Sequence, residues 1–245
     1  MSRLPLVSVL AVTGRPMLRS WLHRSVMKQD YPNMRIVLID GSHPEMELPI
    51  EFRHGDTSGV HMRAANFLDR SELRNLALTF AQGDYVVWVD DDDWIHPRKV
   101  TWLVEAIQAS DEPWAGWNCG YVYDANQRAG AFVDSRVRRV FATAGIFKVS
   151  AAQSAFFDGD DDDADARWVA TLEQRYDTQG EVLMDRRAHS IWVRYSRKRL
   201  LPMSMPLDQI LDSDESLRAA HHRHRHASVD VEFNGFVKLL ARQPR

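Results

Sequence analysis

Four aspartates stand in a row at Asp90, Asp91, Asp92 and Asp93, directly after the apolar run YVVWV. Adjacent carboxylates repel one another unless a cation sits among them. Hard divalent ions take oxygen ligands, and Mg2+ or Mn2+ commonly keeps one or two protein carboxylates while substrate phosphates supply further oxygens. The turn therefore suits a metal that in turn holds a diphosphate. The plainer alternative is a solvated acidic turn whose last member, Asp93, caps the next helix.

Other polar residues fall at comparable places. Asp40 ends the apolar run RIVLI, where its carboxylate could accept from a nucleobase N–H or a ribose hydroxyl. Thr13 and Arg15 close the first apolar run, and Arg74 and Asn75 precede the aspartate cluster, with Arg74 able to reach a base or a phosphate. Each of these taken singly is more often a cap, a turn residue or half of a surface ion pair. A second acidic run spans Asp158 to Asp165. Its Asp158, Asp160 and Asp162 mimic the start of an EF-hand, but Asp163 stands where that loop needs Gly and Val169 where it needs Glu, so a calcium loop is excluded. Charge then reverses: Arg186, Arg187, Arg194, Arg197, Lys198 and Arg199 precede the alternation His221, His222, Arg223, His224, Arg225 and His226. This tract reads as a solvated basic face or as a hold on an anionic acceptor, nucleic acid included.

The elements that must position these groups alternate. Val7 to Val12 is a short apolar run with little polar alternation, as in a strand buried on both faces. A helix from Pro16 to about Lys28 places Leu18, Leu22 and Val26 on one side. Arg35 to Ile39 is the next strand, and a loop region follows. Arg70 to Ala81 reads as a helix with Gly83 as its C-cap, Tyr85 to Val89 as a third strand, and a third helix follows Pro97 with Val100, Leu103, Val104 and Ile107 inward. Strand and helix in alternation with short connections mean an open α/β sheet with right-handed crossovers. In such sheets ligands gather beyond the carboxyl ends of the strands, where the candidate residues lie. Later, strands are expected at Gly116 to Tyr123 and Val137 to Val149 around a turn at Asn126-Gln127-Arg128. A helix from about Asp165 to Tyr176 and a strand from Ser190 to Tyr195 complete the set.

Composition bounds the rest. Among 245 residues, 44% are hydrophobic and 27% charged, which excludes disorder, collagen and coiled coil. The formal net charge of −3 gives no global basic excess. The one cysteine, Cys119, excludes an intramolecular disulfide and a Cys-rich zinc site, and suits a cytoplasmic protein. No apolar run reaches the roughly 18 residues of a membrane span, and Leu4 to Val12 lacks the flanks of a targeting segment. Val231 to Leu240 can form an amphipathic helix that closes the core, joins two copies in a homo-oligomer or touches a membrane surface.

The segments VSVLAVTGRP, VMKQDYPNMRIVLIDGS and RNLALTFAQGDYVVWVDDDDWIHPRKV resemble the nucleotide-diphospho-sugar transferases of glycosyltransferase family 2 over about the first 100 residues. The pattern departs from the family at Gly14, where Tyr is commoner, at Val12, where Pro is frequent, and before Gly41, where one Asp is missing. The resemblance implies the GT-A fold, a Rossmann-like open mixed sheet flanked by helices, in a single domain. Residues 1–110 would form its nucleotide-sugar half and 111–245 its acceptor half with a C-terminal extension. It implies that Thr13 and Arg15 line the nucleotide pocket, that Asp40 contacts the base and that Arg74 lies against base or phosphate. Asp90, Asp91 and Asp92 would belong to the donor site, with Asp90 and Asp92 as outer carboxylates of a D-x-D motif and Asp92 the leading ligand of Mn2+ or Mg2+. Thr143 to Phe147 takes the place of a Gly-containing acceptor loop. Asp163, with Asp162 as the neighbouring register, takes the place of the catalytic base, the alternative being helix capping by a solvated turn. One of the C-terminal histidines could complete the metal's coordination.

The chain is thus expected to be a metal-dependent, inverting glycosyltransferase. Its donor would be a nucleotide-diphosphate sugar of the UDP type, and its acceptor a glycan hydroxyl or a hydroxymethylated DNA base. A sugar nucleotidyltransferase would need a Gly-rich loop after the first strand, where only Gly14 stands. A non-catalytic nucleotide-sugar-binding module is the other rival.

Overall fold

The computed structural model describes residues 3–15, 19–54, 57–124, 129–134, 139–161, 163–184 and 189–194. Its strands are β1 (Val7–Thr13), β2 (Met34–His43), β3 (Ile50–His54), β4 (Thr57–Ala65), β5 (Tyr85–Asp90), β6 (Asp93–Ile95), β7 (Trp114–Trp117), β8 (Cys119–Asp124), β9 (Ala129–Asp134), β10 (Gly145–Lys148), β11 (Glu181–Leu183) and β12 (Ser190–Arg194). The helices are α1 (Arg19–Met27), α2 (Arg70–Thr79), α3 (Lys99–Ala109), a short α4 (Val149–Ala152) and α5 (Ala164–Tyr176), with a 3-10 turn at Ala142–Ala144.

Eight strands form one mixed sheet in the order β11-β7-β10-β5-β1-β2-β4-β3. Its centre is parallel, because β1, β2, β4 and β5 run the same way, whereas β10 is antiparallel between β5 and β7. Every residue of β1 is buried, as its largely apolar sequence suits a strand covered on both faces. Alternate side chains divide between two cores. Val7, Val9 and Ala11 pack with residues of α1 and α3, while Leu10 and Val12 pack with residues of α2 and α5. A second sheet, β6-β12-β8-β9, is built almost wholly from the second half of the chain. That half also supplies β7, β10 and β11 to the first sheet, so the two halves share one framework.

The strand register brings the candidate residues together. Thr13 pairs with Asp40 across β1 and β2, and Val12 pairs with Asp90 across β1 and β5. Three strands therefore end at the same level. The next helix is anchored close by through a capping box: Asp69 Oδ1 accepts from Glu72 N at 2.8 Å, and Glu72 Oε2 accepts from Asp69 N at 2.8 Å.

Several sequence expectations are corrected. The region after Ser42 is not a loop but holds the hairpin β3–β4, with β4 completing the parallel set beside β2. Residues 116–123 are not one strand; the chain passes from β7 in the first sheet to β8 in the second. The strand expected over residues 137–149 contracts to Gly145–Lys148 after the 3-10 turn, and β9 was not anticipated. Helix α2 stops at Thr79 with Phe80 as C-cap, and Gly83, at φ 88°, instead makes the turn into β5. The Asn126-Gln127-Arg128 turn and the Val231 to Leu240 helix lie outside the described residues. Among the described residues no helix is long and apolar enough to cross a membrane.

Candidate functional site

A cleft of about 1040 Å³ opens beyond the carboxyl ends of β1, β2 and β5, bounded on the far side by α2 and the acidic run before α5. On the β1 side, Thr13 Oγ1 donates to Asp91 Oδ2, and Arg15 grips the same carboxylate, with Nε 3.1 Å from Oδ2 and Nη2 bonded to Oδ1. Nη2 of Arg15 also lies 3.1 Å from Asp92 Oδ2. Burial pushes the Asp91 carboxyl up to about 6 even though Arg15 and Thr13 favour its charged form. Asp91 is thus committed to protein partners, whereas Asp90 and Asp92 flank it with partly exposed side chains on the cleft wall.

Arg74 forms the floor. Its side chain is 5% exposed, its Nη2 donates to Asp90 Oδ1 at 3.0 Å, and its Nη1 donates to Asp165 Oδ1. The guanidinium lies 5.3 Å from the centre of the Phe157 ring. Burial, together with the charge of Asp90, pushes the Asp165 carboxyl up to about 6 against the pull of Arg74. The acidic run is fastened to α2 on both sides of this pair. Asn75 Nδ2 donates to Phe157 O at 2.9 Å and Asn75 Oδ1 accepts from Phe157 N at 2.8 Å. Ser71 Oγ donates to Gly159 O, and Arg70 N donates to Asp160 Oδ1 at 3.3 Å.

Thr13, Arg15, Arg74, Asp90, Asp91 and Asp92 all reach the cleft. Asp40 lies behind it, fully buried, with Oδ1 accepting from Ser42 N at 3.1 Å and from Ser42 Oγ at 2.6 Å. The cleft wall there is formed by Gly41 and Ser42. Asp163 is exposed at the N-cap of α5, makes no side-chain cap bond and is not on the wall, and Asp162 lies outside the described residues. The aspartate of this run that faces Arg74 is Asp165. Its orientation was readable from spacing: Asp165, Trp168, Val169 and Leu172 stand at i, i+3, i+4 and i+7, the stripe that α5 turns inward. The basic and histidine-rich residues beyond 194 lie outside the described residues.

Two outer carboxylates with partial exposure match the one or two oxygens that Mg2+ or Mn2+ takes from a protein when phosphates and water supply the others. Among the described residues no group of three or more His, Cys, Asp or Glu side chains could hold a metal, so a closed protein cage is not built there. The donor set fits an ion shared with a ligand.

Residues 21–128 match the family model for Glycosyl transferase family 2. The chain is 32% identical over 131 residues to Glycosyltransferase GlyA of Streptococcus pneumoniae serotype 4 (strain ATCC BAA-334 / TIGR4), covering 51% of this chain and 18% of that protein. The chain thus spans less than a fifth of that relative's length. Among solved structures, S. aureus TarS 1-349 in complex with UDP-GlcNAc superposes with a TM-score of 0.56 at 13% identity, over 97% of this chain and 72% of that one. Mannosyltransferase PcManGT from Pyrobaculum calidifontis, in complex with GDP-Man and Mn2+, gives 0.53 at 15%, over 97% and 69%. At such identities the likeness shows the fold, which is GT-A. The acidic turn, the cleft and the β1–β5 strand ends lie within or beside the matched family 2 segment.

Proposed function

We propose that this chain is a glycosyltransferase that passes a sugar from a nucleoside-diphosphate donor, of the UDP-sugar class, to an acceptor hydroxyl with inversion. The observation that carries this reading is the meeting of Asp90, Asp92, Arg15 and Arg74 at one strand edge, with the Asp165 carboxylate across the same cleft. Anionic donors bound at related folds support it, since UDP-GlcNAc and GDP-Man occupy those structures.

Asp92 and Asp90 would hold a divalent cation, Mn2+ or Mg2+, which offsets charge that develops on a departing diphosphate. Arg15 and Arg74 supply fixed positive charge beside the same oxygens, and their planar forks suit phosphate. Gly41 and Ser42, held by the buried Asp40, shape the wall on which the base would rest. Asp165 is the acceptor-side carboxylate. It takes the acceptor O–H proton as that oxygen bonds to the anomeric carbon, while the bond from the anomeric carbon to the diphosphate oxygen breaks and the nucleoside diphosphate leaves. Asp163, the residue implied by the family resemblance, is exposed at the N-cap of α5 and is not among the residues that line the cleft.

The experiment is to incubate the protein with UDP-GlcNAc, UDP-glucose and GDP-mannose, with and without Mn2+, and to measure nucleotide release. Turnover that requires Mn2+ and disappears in Asp92→Asn supports the reading. Nucleotide binding with no turnover of any donor, hydrolysis to water included, would leave a binding module instead.

A further inference from the structure

Lys99 opens α3 behind the acidic turn and is 1% exposed, yet the chemistry above makes no use of it. An ammonium is withdrawn from water at great cost unless its protons find acceptors. Here Nζ donates to Thr143 O at 2.6 Å and to Ser190 Oγ at 2.9 Å. Thr143 belongs to the 3-10 turn that feeds β10 of the first sheet, and Ser190 begins β12 of the second. Asp93 and Asp90 both favour the charged amine, while burial brings its pKa down to about 8. It therefore remains protonated at neutral pH and able to donate both bonds.

The chain crosses between the two sheets at this point. It leaves the first sheet at Asp90, the end of β5, and enters the second at Asp93, the start of β6. β6 is fixed against β12 by the pairs Asp93 with Trp192 and Ile95 with Ser190. His96 N adds a bond to His189 O at 3.0 Å. Asp91 and Asp92 are the bridge between these two anchors.

We propose that Lys99 is a positioning residue whose buried ammonium fixes this crossing, so that Asp90 and Asp92 keep the spacing that a divalent cation and a diphosphate require. The inference rests on the cleft being a donor site. Lys99 acts through Thr143, Ser190 and Asp93 and reaches no ligand itself. Were it only a nearby positive charge, its removal would strengthen cation binding. Loss of positioning weakens it, so the two roles differ in sign.

The test is calorimetric titration of wild type and Lys99→Met, which preserves side-chain length, with UDP alone and with UDP plus Mn2+. Circular dichroism and melting are followed in parallel. The expected result is unchanged affinity for UDP alone and at least a tenfold loss of the Mn2+-dependent gain. An equal or larger gain in folded Lys99→Met overturns the proposal. Since that variant leaves Asp93 buried without its countercharge, Lys99→Met/Asp93→Asn and Ser190→Ala are titrated beside it. Ser190→Ala keeps the charge but removes one anchor, and should lose about threefold of the gain. Full retention by every folded variant also overturns the proposal. A wild type with no Mn2+-dependent gain for either UDP or GDP instead defeats the donor-site reading, and this inference with it.

Discussion

Arg74 and Asp165, 91 positions apart in the chain, form an ion pair on the floor of the cleft, and the same guanidinium holds Asp90. One side chain thus ties the end of β5 to the first turn of α5, which fixes the distance between the Asp90 and Asp165 carboxylates. Arg74 is nearly inaccessible while its two partners are each about a third exposed.

Removing that tie should affect both folding and chemistry. Arg74→Met leaves Asp90 and Asp165 facing one another without compensation. A fully buried pair broken in this way costs ~3–5 kcal/mol; the partial exposure of both carboxylates reduces this to about 2 kcal/mol. Chemical denaturation should show that loss, and Arg74→Lys should recover only part of it, because one ammonium cannot replace a fork that spans two carboxylates. An unchanged midpoint would mean the pair is not formed in solution.

Asp165→Asn should fold and bind UDP as wild type does, yet lose about 100-fold or more of sugar transfer, the usual contribution of a general base. Asp163→Asn should retain transfer within a few fold. The comparison is read from rates of nucleotide release under identical donor and Mn2+ concentrations. The opposite ranking would return the base to Asp163.

The strand ends, and with them most of the residues that line the β1–β5 side of the cleft, were legible in the sequence. Short, largely apolar runs bounded by turn residues suit strands covered on both faces, and polar residues that end such runs collect at one edge once the strands are parallel. The acidic run before α5 was less legible because consecutive aspartates give no register by themselves. The apolar partners Trp168, Val169 and Leu172 show on which side of α5 Asp165 stands, facing Arg74. Strand β4 escaped notice because Ser58, Gly59, His61 and Arg63 interrupt its apolar pattern, and its pairing with β2 is supplied by tertiary context. The split at Trp117 and Cys119 was equally hidden, since both sides of it are buried and apolar.

Gly41→Ala tests the close approach of β2 to α2. A Cβ at this position would stand 2.5 Å from Leu73 Cδ1, so Leu73, which lines the cleft, must shift. A loss of about 1–3 kcal/mol in stability is expected. UDP affinity, measured by calorimetry, should fall as well because the displaced leucine narrows the wall. Wild-type affinity in the variant would place the base elsewhere.

His189 gives a pH signature. It is fully buried against Trp117, with ring centroids 4.2 Å apart, and its Nε2 donates to Cys119 O at 2.8 Å. Burial and the positive charge of Lys99 bring its pKa down to about 3. The unfolded chain therefore takes up a proton near pH 6.5 that the folded chain refuses, and stability is lost as pH falls from 6.5 towards 3. Between pH 7 and 5 this amounts to about 2 kcal/mol. Asp91 and Asp165, with raised values near 6, act in the opposite direction over the same interval. His189 is therefore isolated by comparing wild type with His189→Gln in urea at both pH values. The difference between the two proteins should change by that amount, and parallel curves would contradict it.

The central claim is that the carboxylates at the end of β5 bind a divalent cation together with a nucleoside diphosphate. Calorimetric titration of UDP and GDP into wild type and Asp92→Asn, each with and without Mn2+, tests it most directly. The account predicts that Mn2+ strengthens binding of one of these nucleotides at least tenfold in wild type and not in Asp92→Asn. Equal affinities with and without Mn2+ in the wild-type protein would contradict it.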